Sequence, residues 1–456
     1  MKIAPDARRA SALCAMFAAL LTAAPAAADA DGATFVSAAQ VGDLVCPAAG
    51  THPPKVTGPP RMAHETNTLV PTLAELGDLA NFVERPPPAL DLAAIPEFAL
   101  KDGATPRPRR IAFWGDSHIA AGPLMAQLLG AIRDHNETVG TRFLPPTMGR
   151  ANVRLPTLHA YCIGHGWSTA LAYKEAQVQP VGPALASRIA AAGADSYLWL
   201  DFRSAAHEAK LRQVALVYRP PASETALAIS VNDGPEQTVT LTGDAFAVRA
   251  DAPIATVRLR VVRGEIALQG FRLDYAEPPL VTFDVFGLPS STARGWANAD
   301  TAAISEALQG ESYDAVALEY GTNEGSDLAF DAGKYAADLT RTLGNMRKVF
   351  PNASCVLIGP PDRGVLLDRY GGHPDLLQFS HIHQQIAAVQ AATGAKFGCI
   401  AWNWQDYMGG PGGSYGWAHA EPELMGRDLT HMTADGYKRV GAALAKSLGW
   451  TDDLFP

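Results

Sequence analysis

Runs of hydrophobic residues that end in turn residues recur along the chain and predict parallel β-strands. The segment IAFWGDS, residues 111–117, reads as a buried strand that leads into a Gly-Asp-Ser turn. Residues 122–134 then carry Leu, Met and Ile at helical spacing, which predicts an amphipathic helix. A strand, a tight turn and a helix in this order are typical of an α/β unit with a polar turn at the carboxyl end of its strand.

The same alternation returns in the last third of the chain. YDAVALEY (313–320), SCVLIGPPD (354–362) and KFGCIAWNW (396–404) predict further parallel strands, with helices between them. The chain closes with GYKRVGAALAKSLGW, which predicts an amphipathic helix. The pattern therefore favours an α/β fold built on a parallel sheet.

Between these two parts, the pattern changes to short alternating runs. From about residue 195 to 275, runs such as SYLWLDFR, QVALVYRP and ATVRLRVV follow one another at about ten-residue spacing, separated by Asn-Asp-Gly and Thr-Gly-Asp turns. Such spacing predicts an antiparallel β-sandwich inserted into the α/β domain. The predicted divisions are a signal peptide (1–28), an irregular lead-in (29–107), the α/β domain (108–190 and 280–456) and the inserted sandwich (191–279).

The first residues predict export. Lys2, Arg8 and Arg9 precede an apolar run over 10–21 and small residues at 26–28, which is the pattern of a secretory signal peptide. The apolar run is shorter than the ~20 residues that span a bilayer. We therefore expect a protein of the periplasm or the extracellular medium with no membrane span once the signal is removed. A retained, uncleaved anchor is the alternative.

Charge and cysteine content narrow the function class. The formal net charge is -9, and removal of three basic and one acidic residue with the signal gives -11, so nucleic acid is excluded as a partner. Cys14 lies in the signal, and an even number of cysteines remains, which allows three disulfide pairings in an exported protein. The four are Cys46, Cys162, Cys355 and Cys399.

Three polar motifs carry the candidate chemistry. Ser117 and the Gly-Thr-Asn turn at 321–323 each follow a predicted strand, so both should lie along one edge of the sheet. The side-chain amide of Asn323 could there donate to an oxyanion. Near the carboxyl end, Asp428 precedes His431 by three residues, close enough for its carboxylate to hold the imidazole in the tautomer that accepts a proton from Ser117.

These motifs, in this order, resemble the GDSL or SGNH hydrolase family. The resemblance implies a three-layer α/β/α fold, with Ser117 as nucleophile, His431 as general base and Asp428 as its orienting partner. It also implies an oxyanion hole made by the backbone N–H of Ser117, by Asn323 and by a glycine. Gly287 is the predicted glycine because it follows a strand, and Gly295 is the alternative.

A narrower resemblance rests on GDSH, YGTNE, IGPPD, WNWQDYMGGPGG and DLTHMTADGY. These segments are similar to bacterial peptidoglycan O-acetylesterases, which also carry an inserted β-sandwich like a family 35 carbohydrate-binding module. The resemblance implies a serine esterase that removes acetyl groups from an O-acetylated polysaccharide through an acetyl-enzyme, with no metal or organic cofactor. The alternatives are a carbohydrate O-acetyltransferase with the same residues and a catalytically idle glycan-binding protein. The oligomeric state is left open.

Further residues are candidates for substrate binding. His118 follows the nucleophile, Glu324 follows the Asn, and Trp404 lies near a glycine-rich loop with Trp402 and Trp417, where the indoles could form a sugar-stacking face. Packing in the core is the competing interpretation for all three tryptophans. His118 could instead fill its turn, and Glu324 could be a structural hydrogen-bond partner. The histidines at 381 and 383 lie on a predicted helix with no matching carboxylates, which favours a structural role over a metal site.

Overall fold

The computed structural model describes residues 32–47, 70–80, 85–102, 105–134, 138–155, 157–367 and 374–451, so the predicted signal peptide lies outside the described residues. The strands are β1 (Gly32–Phe35), β2 (Lys101–Asp102), β3 (Thr105–Pro106), β4 (Arg109–Gly115), β5 (Val139–Gly140), β6 (Phe143–Leu144), β7 (Ala160–Ile163), β8 (Ser168–Leu171), β9 (Ala186–Ala191), β10 (Tyr197–Asp201), β11 (Leu211–Arg219), β12 (Ala226–Val231), β13 (Gln237–Thr240), β14 (Ala245–Ile254), β15 (Thr256–Arg263), β16 (Glu265–Tyr275), β17 (Val281–Gly287), β18 (Ala315–Glu319), β19 (Ser354–Ile358) and β20 (Cys399–Trp402). The α-helices are α1 (Leu73–Leu76), α2 (Ser117–Ala120), α3 (Pro123–Asp134), α4 (Arg294–Ala297), α5 (Thr301–Leu308), α6 (Ala332–Val349), α7 (Gln378–Lys396), α8 (Trp404–Tyr407), α9 (Gly413–Ala418) and α10 (Ala434–Ser447).

Six strands form a parallel sheet in the order β20-β19-β18-β4-β17-β5. In this sheet Gly115 at the end of β4 lies opposite Gly287 on one side and Glu319 on the other. The turns that follow these three strands therefore begin at the same level, along the carboxyl edge of the sheet. The prediction of a mixed α/β fold is confirmed.

Strand β4 is buried because helices cover both faces of the parallel sheet. Ile111 and Phe113 face a core shared with α3 and α10, whereas Ala112 and Trp114 face a core shared with α5, α6 and α7. The indole N–H of Trp114 donates to the carbonyl oxygen of Pro183 at 2.7 Å, so its polar group is satisfied. Burial of a side chain such as Phe113 contributes about 1.5–3 kcal/mol. The hydrophobic run that predicted this strand is explained by contacts on both sides.

Two antiparallel sheets pack against each other over a second core. One has the order β13-β12-β15-β10-β7, and the other has the order β1-β14-β11-β16-β9-β8, with β6 also paired to β16. Side chains from both sheets, including Leu200, Leu216 and Val257, are buried together. The antiparallel strands begin before residue 191: β7, β8 and β9 lie in these sheets, and β1 of the predicted irregular lead-in pairs in parallel with β14. These strands are short and mix polar with hydrophobic residues, so the hydrophobic pattern of the sequence did not predict them.

Two disulfides select one of the three pairings that the sequence allows. Cys46 bonds to Cys162 and ties the segment after β1 to β7. Cys355 bonds to Cys399 across the neighbouring strands β19 and β20. Both thus join segments that are already adjacent in the fold.

From residue 70 onward, the described part of the lead-in packs on the parallel-sheet region, where Leu76, Ile95 and Phe98 join the core that β4 faces. Helix α1 begins at Leu73, where the Thr72 hydroxyl and Glu75 form a reciprocal cap, and a 3-10 turn over Gly77–Ala80 follows it. The Trp450 indole N–H donates to the carbonyl oxygen of Phe98 at 2.8 Å. Of the helices in the described part of the chain, none combines the length and the hydropathy that crossing a membrane requires.

Candidate active site

Ser117 lies at the carboxyl edge of the parallel sheet, directly after β4. It is the first residue of α2, and the carboxylate of Asp116 caps this short helix by accepting the backbone N–H of His118 at 2.9 Å. Asp116 therefore fixes the backbone on which the Ser117 hydroxyl is mounted.

A chain of short hydrogen bonds runs from the Ser117 hydroxyl to a carboxylate. Ser117 Oγ lies 2.8 Å from His431 Nε2, and His431 Nδ1 lies 2.7 Å from Asp428 Oδ2. With Nδ1 protonated toward the carboxylate, Nε2 is free to accept the hydroxyl proton. The structure thus brings together the three residues that the sequence singled out for this chemistry.

The turn that contains Asp428 and His431 is held by its own backbone. Asp428 Oδ1 accepts the N–H groups of Thr430 and His431 at 3.0 and 2.9 Å, so the carboxylate is fixed by both oxygens. Leu429 has a φ of 51°, in the left-handed region that a leucine rarely adopts, while its side chain is fully buried. Strain of this kind persists where the surrounding packing enforces it. The three-residue spacing works because of this enforced turn.

The charges of this pair are coupled. Burial disfavours the imidazolium, but the hydrogen bond and negative charge of Asp428 outweigh burial and raise the pKa of His431. Burial likewise disfavours the Asp428 carboxylate, yet the hydrogen bond from His431 and the two backbone N–H groups lower the pKa of Asp428 below its usual value. The carboxylate is therefore ionised at neutral pH, and the imidazole is a stronger base than a free histidine.

Asn323 lies next to Asp116 and has both hydrogens of its amide nitrogen engaged. Nδ2 donates to Asp116 Oδ2 at 3.0 Å and to the carbonyl oxygen of Ser291 at 2.8 Å. An oxyanion would have to replace the Ser291 carbonyl as acceptor. Asn323 thus lies where the prediction requires, and its role as an oxyanion donor stays a prediction.

The two candidate glycines bracket the segment that contacts Asn323. Gly287 ends β17, and Gly295 lies in α4. Between them, Ser291 Oγ donates to the carbonyl oxygen of Gly115 at 3.0 Å, and the exposed Ser290 has a φ of 66°. This segment, residues 287–291, therefore runs beside the Ser117 turn.

Replacement of Gly287 by alanine is expected to destabilise the fold by about 1–3 kcal/mol, the usual cost of overpacking a core. The added methyl carbon would lie 2.4 Å from the backbone nitrogen of Ala120 and 2.7 Å from the carbonyl carbon of Ile119, which cannot move independently of α2. At Gly295 the nearest atom to such a carbon is a terminal carbon of Leu185 at 3.3 Å. Thermal unfolding should show a lowered melting temperature for Gly287→Ala and little change for Gly295→Ala; equal effects would contradict the argument.

The predicted substrate-binding roles of His118 and Trp404 are wrong, because both side chains are fully buried. His118 Nδ1 lies 3.0 Å from the hydroxyl oxygen of Tyr437, and its ring packs 5.2 Å from the Trp404 ring. Trp402 and Trp417 are buried as well, so the sugar-stacking face does not form. These aromatic residues fill the core between the parallel sheet and α10.

Glu324 connects two turns at the sheet edge instead of pointing to solvent. Its carboxylate accepts the backbone N–H of Gly321 at 3.1 Å and that of Ala293 at 2.8 Å. Burial raises the pKa of Glu324 to about 7. These contacts support a role in holding the Gly-Thr-Asn turn against the segment after β17, and they offer no support for substrate binding.

Two carboxyl groups beneath the site were not singled out from the sequence. Asp116 was treated only as the middle residue of the Gly-Asp-Ser turn. Glu319 lies within the otherwise hydrophobic run AVALEY (315–320). A single acidic residue inside such a run was the available signal, because a buried strand rarely contains an unpaired charge. Among the described residues, no group of three His, Cys, Asp or Glu side chains could hold a metal ion.

Comparison with solved structures finds one that shares this fold. A peptidoglycan O-acetylesterase structure superimposes with a TM-score of 0.57 at 20% identity, covering 79% of this chain and 96% of that one. A family 2 carbohydrate esterase with a carbohydrate-binding domain, from Corynascus thermopiles, superimposes with a TM-score of 0.26 at 12% identity, covering 62% of this chain and 98% of that one. A GDSL-like lipase from Parabacteroides merdae reaches 0.29 at 14% identity, with 38% and 74% coverage.

The first of these similarities establishes a shared fold, and the other two are too low to carry an argument. No protein-family model matches the chain, and no curated protein matches its sequence. The chain therefore shares its fold with that peptidoglycan O-acetylesterase structure, and the relationship to the GDSL/SGNH hydrolases stays a prediction.

Proposed function

We propose that the protein is an exported SGNH-type serine esterase that removes O-acetyl groups from a carbohydrate, with peptidoglycan as the substrate. The hydrogen-bond chain from Ser117 through His431 to Asp428, at the carboxyl edge of a parallel sheet, carries this proposal. In it, the parallel sheet with its helices is the catalytic domain, and the antiparallel sheets are the inserted sandwich.

The proposed reaction is acyl transfer to water in two steps. His431 Nε2 takes the proton of Ser117 Oγ as that oxygen attacks the ester carbonyl, and Asp428 stabilises the imidazolium that forms. The imidazolium then gives its proton to the departing sugar oxygen, which leaves an acetyl-enzyme. Water, deprotonated by His431, attacks this intermediate and releases acetate and the free serine.

The oxyanion of each step would be held by three donors. We assign these roles to the backbone N–H of Ser117, the side-chain amide of Asn323 and a backbone N–H of segment 287–291, whose first residue is Gly287. Because Asn323 donates to the Ser291 carbonyl, this assignment requires segment 287–291 to shift as the substrate binds. A donor of this kind typically contributes about 3 kcal/mol to lowering the barrier.

Substrate class and location rest on separate observations. The structure with the shared fold is of a peptidoglycan O-acetylesterase, and an acetylated cell-wall glycan would be accessible to an exported enzyme. The predicted signal peptide supports export. The two disulfides fit an oxidising compartment as well.

Acetate release from O-acetylated peptidoglycan and from acetylated xylan tests the proposal, with a soluble glycan acceptor in parallel reactions. Acetate release from peptidoglycan is the expected result. Acetate release from xylan alone would indicate that the substrate is a plant-type glycan. Acetyl groups that appear on the acceptor, with no free acetate, would identify a transferase. A folded protein that does neither would contradict the esterase.

The pH profile of kcat/KM should have its acid limb above pH 6.5, because the pKa of His431 is raised from 6.5. Only the neutral imidazole accepts the serine proton. The value of kcat/KM therefore falls as the pH drops through the pKa of His431, and it reaches its maximum above that pKa. Asp428 stays ionised over this range because its pKa is lowered. Acetate release measured from about pH 5 to about pH 9 checks this. An inflection well below pH 6.5 would contradict the coupling between the two residues.

A further inference from the structure

A pair of buried carboxyl groups lies directly beneath the Gly-Asp-Ser turn. Glu319 and Asp116 are both fully buried, and the backbone N–H of Asp116 donates to Glu319 Oε2 at 3.2 Å. Glu319 Oε2 thus lies against the backbone of Asp116, and each of the two carboxyl groups shifts the pKa of the other. Because Gly115 pairs with Glu319 in the sheet, this contact is built into the register. A methyl carbon added at Gly115 would lie 2.2 Å from Ile119 Cγ1 and 2.8 Å from Glu319 Oε2, so a larger residue there would displace both side chains.

Two carboxyl groups buried at the ends of neighbouring strands of a sheet, as these are, cannot both be ionised without a compensating cation. No Lys or Arg within the described ranges forms an ion pair with either of them, so a proton must be present on one. Asp116 accepts hydrogen bonds from the His118 N–H and from the Asn323 amide, both of which favour its charged form. Glu319 Oε1, by contrast, accepts none from any N–H or hydroxyl group among the described residues.

The proton therefore belongs on Glu319. Burial and the neighbouring charge of Asp116 raise the pKa of Glu319 well above its usual value. Burial also raises the pKa of Asp116, to about 6, but its hydrogen bonds hold it lower than that of Glu319. At neutral pH the pair is thus one carboxylic acid and one carboxylate.

We propose that Glu319 is a positioning residue, a neutral acid that donates a hydrogen bond to the Asp116 carboxylate and so fixes the groups on both sides of the reacting carbonyl. This inference rests on the proposed function. Asp116 Oδ1 holds the backbone of the turn that carries Ser117, and Oδ2 holds Asn323. One carboxylate thus sets the distance between the nucleophile and an oxyanion donor, and Glu319 keeps that carboxylate from rotating.

The expected consequence is specific to the chemical step. The Ser117 N–H and the Asn323 amide act on charge that develops in the transition state, so a loosened Asp116 should lower kcat and leave KM nearly unchanged. Glu319 itself is buried and contacts no substrate. A merely structural role would instead lower the folded fraction and leave kcat per folded molecule intact.

Two substitutions separate these outcomes. Glu319→Gln keeps the shape and an N–H donor, whereas Glu319→Leu removes the donor and leaves Asp116 unpaired on that side. With p-nitrophenyl acetate as substrate, we expect kcat of Glu319→Gln within about 3-fold of wild type and a loss of about 100-fold in Glu319→Leu, the size expected when one oxyanion donor is misplaced. KM should change by less than about 3-fold in both.

Asp284→Asn is the matched control for loss of a buried carboxyl group. Asp284 lies on the neighbouring strand β17, is fully buried, and accepts the hydroxyl of Tyr313 at 2.7 Å, away from the Ser117 turn. Its substitution should lower the melting temperature without changing kcat per folded molecule. All kcat values are referred to the folded fraction measured by circular dichroism.

A second readout does not depend on esterase activity. Infrared difference spectroscopy of wild type against Glu319→Gln at neutral pH should show the carbonyl stretch of a protonated carboxyl group that the variant lacks. Absence of this band would overturn the assignment of the proton. A folded Glu319→Leu with wild-type kcat, or a Glu319→Gln as impaired as Glu319→Leu, would overturn the positioning role. A wild type with no more ester hydrolysis than Ser117→Ala would overturn the proposed function itself, while the infrared band still decides where the proton lies.

Discussion

Replacement of Ser117 by alanine is expected to lower kcat for acetate release by about 10⁴-fold to 10⁶-fold, the range that loss of a serine nucleophile produces in hydrolases. The substitution removes the oxygen that lies 2.8 Å from His431 Nε2, and no second hydroxyl takes this position. Without it, the acetyl-enzyme cannot form, and only the slow direct attack of water remains. Acetate release from O-acetylated peptidoglycan under saturating substrate is the measurement.

The fold should tolerate this change, because Ser117 lies at the edge of the sheet and is only partly buried. Ser168→Ala is a suitable control, since Ser168 is an exposed residue on β8 in the antiparallel layer. Both variants should unfold at the wild-type temperature. A Ser117→Ala protein that retains a tenth of the wild-type rate would rule out the serine mechanism.

The second large effect is expected from Asp428→Asn, with a loss of about 10³-fold to 10⁴-fold in kcat. The amide preserves the shape of the carboxylate, but it favours the tautomer in which Nε2, facing Ser117, carries the proton and cannot accept another. It also removes the negative charge that stabilises the imidazolium. Since the charge of Asp428 raises the pKa of His431, the acid limb of any residual activity should move to lower pH.

Asp435→Asn is the matched control. Asp435 is an exposed carboxylate at the start of α10 and pairs with Lys438 at 3.0 Å, an interaction worth at most about 1 kcal/mol. Its loss should leave both kcat and the pH profile unchanged. Wild-type kcat in Asp428→Asn, or an acid limb that does not move, would show that the contact between Asp428 and His431 has no part in the reaction.

Motifs whose residues are close in sequence were predictable. Asp428 and His431 are three residues apart, so a single turn was enough to predict their contact. Ser117 and Asn323 each follow a hydrophobic run, and parallel strands bring such turns to one edge. Periodicity therefore predicted a shared location for Ser117 and Asn323, whereas the resemblance to a hydrolase family placed His431, 314 residues from Ser117, beside it.

The features that the sequence did not predict depend on contacts between residues that are far apart in the chain. Trp404 and His118 were candidates for substrate binding as well as for packing, because a short motif does not reveal what packs over it. In the structure they are covered by α10, whose residues come from the end of the chain. The strands before residue 191 were missed for a similar reason, since β7, β8 and β9 depend on pairing with distant strands.

The sequence by itself determined the α/β class, the polar turns after the strands and the identity of the groups that can exchange a proton, because these depend on local periodicity and on residue chemistry. The tertiary structure decided which cysteines pair, which aromatic residues reach solvent and how two carboxyl groups come to lie beneath Ser117. Each of these depends on strand register and on packing between segments that are far apart in the sequence. Glu319 shows the difference: the sequence places an acid in a hydrophobic strand, and the register of β18 against β4 puts that acid under the Ser117 turn.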